Sequence, residues 1–506
     1  MALSLLRHAT LVGLLLGALH PAPLRAQPSE SAPKPAPDGS AQEELQIDEE
    51  ESVAPSTPTA PEATPPAPAP AESTPPPAPA APKVEASAKP DALRPGRAEG
   101  ATAPTSAAAK TGAKQWLPPW LKLAGLIQGD GVLWDQSSVD ELDPATREPL
   151  NQNRFLVRRA WFRIALEQGL MQGSMTVDVN TVEGPTARIL TGEVGLRGPW
   201  GSRELPWVAT SLGLMRIPFG FEVPERVSER LILEPSNMTR AFFPGLHDAG
   251  ARIYGGWRVL RYAVAAMNGN PLSENSQFRA RDPNKSKDLL GRIGIDATTP
   301  RGMRWIGGVS ALVGQGFHAG TPPTKDELVW RDANEDGLVQ NNELQVLAGV
   351  PATASENFRR FALGGDLRAT LPIPYLGGLT LYGEAVWAQN LDRGLQVSDP
   401  VAAGRDLRQF GWYLGFTQEL TRHALLGLRY DRYDPDMDAT DELGADLLPK
   451  DASYTTLALA AAWRYREWGR VVLQYDHNTN PLGRSASGSI ETLRSDRLTL
   501  RMQVAY

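Results

Sequence analysis

The last ten residues, Arg497-Leu-Thr-Leu-Arg-Met-Gln-Val-Ala-Tyr506, alternate between apolar and polar side chains. Successive side chains of an extended strand point to opposite faces, so the two kinds of residue separate onto two faces. One face carries Leu498, Leu500, Met502, Val504 and Tyr506, and the other carries Arg497, Thr499, Arg501 and Gln503. One face suits lipid and the other suits water, a pattern typical of a transmembrane β-barrel strand.

The same alternation recurs after Trp116 in segments of about ten residues that are separated by Gly, Pro, Asn and Asp. Sixteen strands are predicted, an even number that suits a barrel with both termini in the periplasm. They lie near 121–134, 153–167, 172–182, 186–197, 206–217, 249–258, 259–268, 287–297, 304–316, 357–370, 378–390, 406–419, 422–433, 453–465, 468–478 and 492–506.

The connections between these segments alternate in length, which is evidence independent of strand propensity. Those after even-numbered segments include the short stretches 167–173, 256–258, 298–303, 419–422 and 466–468. Those after odd-numbered segments include the long stretches 135–152, 218–248, 316–357, 390–405 and 434–452. Short periplasmic turns and long outer loops are expected of an outer-membrane barrel, whereas a soluble β-sandwich, the alternative, does not require them. The sequence therefore predicts an all-β, sixteen-stranded antiparallel transmembrane barrel over 115–506.

The first residues predict export. Arg7 and His8 precede an apolar run over 9–19 and a small-residue exit at Ala26, so a signal peptide is predicted over 1–26. No later apolar stretch reaches the roughly eighteen residues of a spanning helix, and the chain contains no cysteine. These features exclude thiol catalysis and thiolate metal sites, and they predict the outer membrane of a Gram-negative bacterium as the location.

Residues 27–114 are dominated by Pro, Ala, Ser, Thr and Glu and predict a disordered periplasmic tether. The acidic stretch 43–51 is interpreted as keeping this tether solvated; a contact with peptidoglycan is an alternative that no motif supports. The net charge of −7 and the scattered bases exclude a nucleic-acid partner.

Three blocks between residues 121 and 270 resemble the phosphate-selective porin O and P family. They are Phe155-Leu-Val-Arg-Arg-Ala-Trp-Phe-Arg163 with Met175-Thr-Val-Asp-Val179, then Gly213-Leu-Met-Arg-Ile-Pro-Phe-Gly-Phe-Glu222, then Glu234-Pro-Ser236 through Phe243-Pro-Gly245 to Gly250. The resemblance implies a sixteen-stranded porin, a homotrimer, and outer loops that fold inward to narrow the pore. It places the constriction in 218–247, the third outer loop.

The resemblance also implies inward arginines that guide phosphate, a task suited to a planar and permanently charged guanidinium. Alternation places Arg159 and Arg163 on one side of the second strand, and Arg216 occupies the position of the family's inward lysine. Arg158 is expected to face lipid unless it lies at the barrel rim. The third outer loop adds the pore-lining candidates Arg226, Arg230 and Arg240.

The same loop carries four acids, Glu222, Glu225, Glu229 and Glu234, against those three bases. The family's arginine after Pro-Gly is replaced here by Leu246 and His247. Two readings stay open: a path that prefers anions, or a wide aqueous pore whose charges pair with one another.

The fifth outer loop contains Asp332-Ala-Asn-Glu-Asp-Gly-Leu-Val-Gln-Asn-Asn-Glu343. This segment resembles the twelve-residue calcium loop of EF-hand and dockerin proteins, and 321–350 is interpreted as an EF-hand-like insertion. The predicted Ca²⁺ ligands are Asp332, Asn334, Asp336, the Leu338 carbonyl, Gln340 through water, and Glu343. Short flanking helices are expected over 326–330 and 343–347, with Val339 buried, and the ion is expected to order the loop.

Passive diffusion of small hydrophilic solutes, with a preference for anions such as phosphate, is the function these features favour. An adhesive or structural barrel with a closed lumen is a second hypothesis, and an outer-membrane hydrolase a third. None of the four histidines expected to remain after export, His247, His318, His423 and His477, lies in a recognisable catalytic motif, so no catalytic residue is predicted.

Overall fold

The computed structural model describes residues 117–135, 152–182, 184–202, 204–271, 282–443, 446–484 and 490–506. The predicted signal peptide and tether lie outside the described residues and stay predictions. No helix within the described ranges has both the length and the apolar character needed to cross a bilayer.

The described part of the chain is built almost entirely from strands. They are β1 (Leu121–Trp134), β2 (Arg154–Gln168), β3 (Met171–Asn180), β4 (Thr186–Arg197), β5 (Ala209–Arg216), β6 (His247–Trp257), β7 (Leu260–Met267), β8 (Asp288–Thr298), β9 (Arg304–His318), β10 (Glu327–Trp330), β11 (Leu344–Leu347), β12 (Glu356–Pro372), β13 (Gly378–Gln389), β14 (Arg408–Glu419), β15 (Ala424–Asp434), β16 (Thr440–Leu443), β17 (Asp446–Pro449), β18 (Tyr454–Tyr465), β19 (Gly469–Thr479), β20 (Gly483–Arg484), β21 (Ile490–Glu491) and β22 (Arg497–Ala505). Two short helices, α1 (Asn237–Phe242) and α2 (Pro400–Ala403), and a 3₁₀ turn (Asn341–Glu343) lie in loops.

Sixteen of these strands form one closed antiparallel barrel: β1 to β9, β12 to β15, β18, β19 and β22. The barrel closes where β1 pairs with β22, from Leu126 opposite Ala505 to Trp134 opposite Arg497. The other six strands form three isolated hairpins, β10–β11, β16–β17 and β20–β21. The prediction of an all-β, sixteen-stranded barrel is confirmed.

The terminal strand β22 shows why the chain folds in this way. Leu500 and Met502 are 42% and 60% exposed on the outer surface, whereas Arg501 between them is 2% exposed on the inner surface. A closed barrel satisfies every backbone group between strands and leaves an apolar outer band for lipid.

Two connections depart from the expected lengths. The outer connection 181–185 is short, because Gly184 at φ 103° permits a tight reversal that other residues rarely adopt. The periplasmic connection 198–208 is long and is closed by a bridge between Gly201 and Pro206.

A β-bulge changes the predicted orientation of Arg158. Gln128 of β1 pairs with Arg159, but the next residue, Gly129, pairs with Val157, so Arg158 is an extra residue on β2. A bulge interrupts the two-residue alternation and directs two successive side chains to one side. The expectation that Arg158 faces lipid was therefore wrong, and its guanidinium lies inside the barrel.

Candidate pore and its arginine-lined wall

The connection between β5 and β6, residues 217–246, folds into the barrel, and we call it the inner loop. Most of its residues are buried, and α1 contacts β14, β15 and β18 on the far wall. Ser236 caps α1, since its hydroxyl accepts a hydrogen bond from the Thr239 backbone N–H. The inner loop thus occupies part of the lumen, at the position that the resemblance implied for the constriction.

An apolar core inside the barrel fixes the inner loop. Phe219 packs on Phe243 in a tilted arrangement with ring centroids 4.9 Å apart, and Phe242 meets Tyr433 of β15 edge to face at 5.3 Å. The wall contributes Met267, Leu290, Leu312, Val386, Tyr413 and Tyr433. Each fully buried side chain of this size contributes about 1.5–3 kcal/mol. These inward positions are apolar because they face the inner loop and not water.

One polar clamp joins the inner loop to the wall at Glu234. The carboxylate accepts hydrogen bonds from Arg158 at 3.0 and 3.2 Å and from Arg501 of β22 at 3.1 Å. Arg501 also binds Asp130 of β1 through two bonds of 2.6 and 2.7 Å. Because removing one member of such a buried network leaves an uncompensated charge, the clamp resists opening.

A second clamp lies at Glu222. Arg429 of β15 donates to its carboxylate at 2.8 Å, and the Ser236 hydroxyl donates at 2.6 Å. Further along, Asn237 donates to Asp431 at 2.7 Å. The acids of this loop are therefore engaged by basic and polar groups of the barrel and of the loop itself.

A second outer connection, residues 390–407, also turns inward, although only 218–247 was singled out from the sequence. Asp392 is 1% exposed and accepts from the backbone of 394–396 and from the Tyr433 hydroxyl, the last at 2.6 Å. Arg393 donates through its backbone N–H to the carbonyl of Ala241 in α1, at 2.9 Å. The inner loop and the segment 390–407 thus pack on each other inside the barrel.

A cavity of about 330 Å³ lies between the inner loop and the wall formed mainly by β1 to β8. Seven arginines and two glutamates of the described residues line it, with no lysine or aspartate. The arginines are Arg159, Arg163, Arg216, Arg226, Arg252, Arg261 and Arg292, and the glutamates are Glu167 and Glu193. The lining is therefore strongly basic, although the inner loop alone has balanced charge.

Three of these arginines, Arg159, Arg163 and Arg216, form what we call the arginine wall. None of them makes an ion pair with a carboxylate of the described residues. Arg163 donates to the Ser174 hydroxyl at 3.3 Å, and Arg216 donates to the carbonyls of Pro224 and Glu225. The Nε atoms of Arg159 and Arg163 are buried without a hydrogen-bond partner in the described structure. The wall therefore presents positive charge that no direct ion pair engages beside the cavity.

The remaining predicted arginines are placed differently. Arg226 lines the cavity and pairs with Glu229 at 3.4 Å. Arg230 is 5% exposed and pairs with Glu225 at 3.2 Å inside the inner loop, so it does not line the cavity. Arg240 lies in the last turn of α1, is exposed, and is not part of the cavity lining.

Sequence reasoning missed three cavity arginines, each of which has a carboxylate partner. Arg252 pairs with Glu193 at 3.1 Å, Arg261 with Asp296 at 3.5 Å, and Arg292 with Asp366 at 2.5 Å. Their inward position follows from the alternation within β6, β7 and β8, so a strand-by-strand facing assignment would have found them.

Acid is expected to release the Glu234 clamp. Burial alone would raise the pKa of the Glu234 carboxyl, but the charges of Arg158 and Arg501 hold that pKa well below its ordinary value of 4.5. A depressed carboxyl pKa gives stability that is present above the unfolded value and is lost as the pH falls through the folded value. Current fluctuations in planar bilayers should therefore increase only when the pH falls well below 4.5, the ordinary pKa of this carboxyl.

The matched variant is Glu234→Gln, which lacks the carboxylate charge. Its current should already fluctuate near pH 7, within the range of about pH 5–8 in which proteins are usually most stable. Fluctuations of the wild type that begin near pH 6, or a Glu234→Gln channel as quiet as wild type, would contradict the role of this clamp.

The loop predicted to bind calcium forms the tip of the β10–β11 hairpin. Gly337 has φ 72°, as a sharp turn at the sixth position requires, and the Asp332 carboxylate accepts from its N–H at 2.8 Å. Glu343 is 3% exposed and accepts from the Trp330 indole and the Ala333 N–H, both at 3.1 Å. Within the described residues, no three His, Cys, Asp or Glu side chains are gathered closely enough to hold a metal.

Two details of that prediction were wrong. The flanks 326–330 and 343–347 are not helical, since β10 and β11 pair from Glu327 opposite Leu347 to Trp330 opposite Leu344. The β-branched and aromatic residues of these flanks favour strands. Hydrogen bonds between Thr321 and Thr353 close the base of the insertion. Val339 is 64% exposed, because no second loop packs on it.

The comparisons with known proteins concern the whole barrel. No protein-family model matches the chain, and no curated protein is significantly similar to it in sequence. Among solved structures, the chain is similar to the outer-membrane channel DcaP of Acinetobacter baumannii, with 10% identity and a TM-score of 0.44 over 76% of this chain and 97% of that one. It is also similar to an anion-selective porin from Comamonas acidovorans, with 11% identity and a TM-score of 0.44 over 76% and 99%. A third similar structure is OprB of Pseudomonas putida, with 11% identity and a TM-score of 0.45 over 76% and 94%.

The barrel itself decides the location. A closed sixteen-stranded barrel with an apolar outer band has the architecture of proteins that span the bacterial outer membrane. The chain is an outer-membrane β-barrel.

Proposed function

We propose that this barrel is a passive diffusion channel for small hydrophilic solutes with a preference for anions, phosphate among them. The observation that carries the proposal is the arginine wall, three guanidinium groups beside the cavity that make no ion pair with a carboxylate of the described residues. Fixed positive charge in a narrow, poorly screened passage raises the local concentration of anions and lowers that of cations.

The route that we propose passes between the arginine wall and the inner loop. Other parts of the lumen are filled by the two apolar clusters that hold the inner loop; in one of them Leu231, Ile232 and Leu233 pack against Leu425 and Val472. Solutes are thereby directed toward the arginine wall. This supports a path that prefers anions over the alternative of a wide aqueous pore whose charges pair with one another. The test is the ion selectivity of the refolded full-length chain in planar bilayers.

The barrel is further proposed to form a homotrimer. Support comes from an apolar depression on the outer face of β4 to β8, which has a volume of about 600 Å³. Residues such as Leu196, Leu212, Ile253 and Val264 line it. A large apolar concavity marks a surface suited to protein contact.

We also propose that the β10–β11 hairpin binds calcium when Glu343 leaves Trp330 and Ala333 and turns toward Asp332 and Asp336. The Gly337 turn and the oxygen donors at positions one, three, five and twelve support this proposal. The ion would order the hairpin, because a two-stranded sheet on its own is only marginally stable.

Terbium luminescence sensitised by Trp330, followed by displacement with calcium, tests this proposal on the folded barrel. A dissociation constant of about 0.1–1 mM is expected for an extracellular site of this type. Glu343→Gln should weaken binding at least about tenfold, since it removes the bidentate ligand. Glu335→Gln makes the same chemical change at a non-ligating position of the loop and should bind as wild type does. Equal binding by both variants, or none by wild type, would exclude this site.

A further inference from the structure

Arginines are concentrated at the tips of the short connections, the periplasmic end of the barrel. They are Arg258 between β6 and β7, Arg301 between β8 and β9, Arg422 between β14 and β15, and Arg466 between β18 and β19. We call these four the turn arginines. All are exposed, and none pairs with a carboxylate of the described residues. The described tips also contain two acids, Glu204 and Glu467, so the rim is basic overall.

At two of these tips, the arginine has a backbone conformation that residues with a side chain rarely adopt. Arg258 and Arg466 have φ of 53° and 55°, in the left-handed region where Gly and Asn are favoured and an L side chain is disfavoured. Tight hairpin turns usually place Gly or Asn at such positions. A long basic side chain at such a position therefore indicates that the side chain makes an interaction whose free energy offsets the cost of the backbone conformation.

The neighbouring aromatic residues show what these arginines face. The Arg258 guanidinium lies 4.7 Å from the Trp257 ring centroid, and that of Arg466 lies 5.8 Å from the ring of Tyr465. Trp257 and Tyr465 are 53% and 54% exposed on the outer surface, and Trp468 packs edge to face on Tyr465 at 5.3 Å. Exposed Trp and Tyr at strand ends of a barrel lie at the level of the lipid headgroups.

We propose that Arg258 and Arg466, supported by Arg301 and Arg422, bind the phosphates of anionic phospholipids in the periplasmic leaflet. A guanidinium donates two parallel hydrogen bonds to phosphate oxygens, and the aromatic face beneath it holds the planar group in place. Lipid is favoured over a soluble partner because Arg258 and Arg466 lie directly on Trp257 and Tyr465, at the level where phosphodiester groups are the nearest anions. This site is independent of the proposed channel function.

The proposal predicts an effect whose sign depends on the surroundings. The double variant R258N/R466N replaces both arginines by a residue suited to left-handed turns. In neutral detergent, the urea midpoint of the full chain should equal or exceed that of wild type, because the backbone strain is relieved. In phosphatidylglycerol vesicles the midpoint should fall below wild type, with a loss of about fivefold per arginine in the folded-to-unfolded ratio, and in phosphatidylcholine vesicles it should change little.

Tyr375 supplies the matched control. It lies at a third periplasmic tip with φ 68° but carries no charge, so Y375N relieves the same kind of backbone strain without removing an arginine. It should give equal or higher midpoints in every medium, and R258K/R466K should retain part of the preference for phosphatidylglycerol. A fall for R258N/R466N that is equal in detergent and in both lipids would show a structural role and overturn the proposal. So would an unchanged midpoint in phosphatidylglycerol, or a phosphatidylglycerol effect reproduced by adding inorganic phosphate to phosphatidylcholine vesicles.

Discussion

Replacing Arg159, Arg163 and Arg216 together by glutamate is expected to convert an anion-preferring channel into a cation-preferring one. Two unit charges about 4 Å apart in water interact by about 1 kcal/mol, and the interaction is stronger in a narrow passage. Reversing three such charges should therefore shift the anion-to-cation permeability ratio by an order of magnitude or more. The reversal potential in a potassium chloride gradient measures this ratio directly.

The control is a triple glutamate variant at the outer rim, made at Arg405, Arg408 and Arg432. These side chains are 42–55% exposed and already pair with Asp436, Asp438 and Asp451, and none lines the cavity. The change in net charge is the same, so a general effect of protein charge would appear in both variants. At physiological salt, rim charges are screened over about 8 Å, and we expect the control to keep its anion preference. Equal shifts in the two variants would show that the arginine wall does not line the conducting path.

Removing the inner loop is expected to give the largest change in conductance. A short Gly-Ser linker in place of 219–245 would join β5 to β6 and empty the side of the lumen that the apolar clusters now fill. A sixteen-stranded barrel without an inserted loop encloses a wide aqueous channel, so conductance should rise several-fold while the selectivity between ions falls. Single-channel recording of the refolded variant measures both quantities.

Two further variants keep this prediction testable even if the deleted barrel folds poorly. Deleting 322–352 removes a longer segment, but Thr321 and Thr353 already lie within hydrogen-bond distance at 2.8 Å, so conductance should stay close to wild type. The point variant Glu222→Ala keeps the inner loop but removes the partner of Arg429, and it should give a noisier and larger current. An inner-loop deletion that conducts like wild type would show that the loop does not restrict the path.

The sequence was sufficient for the barrel because its information is local and periodic. Each strand repeats the two-residue alternation seen in 497–506, and the loop lengths supply the orientation of the barrel. Arg158 is the exception. Its orientation is set by a bulge, which depends on the register between β1 and β2, and the alternation within one strand does not reveal that register.

The candidate site was predictable only in part. Alternation and the resemblance identified Arg159, Arg163 and Arg216, but the absence of ion pairs between them and the described carboxylates depends on how the loops pack. One partner of Glu234, for example, is Arg501, 267 positions further along the chain. The inward course of 390–407 likewise depends on contacts of Arg393 and Asp392 with α1 and β15, which no local pattern encodes. For the loop predicted to bind calcium, a match to twelve sequence positions did not reveal that its flanks would pair as strands.

The reversal potential of the wild-type barrel across a salt gradient is the most direct test of the central claim. The full-length chain, refolded and inserted into a planar bilayer, should carry a steady current whose reversal potential indicates preference for chloride over potassium. A folded barrel that carries no current would support the closed adhesive barrel, and a steady current with preference for potassium would contradict the role given to the arginine wall.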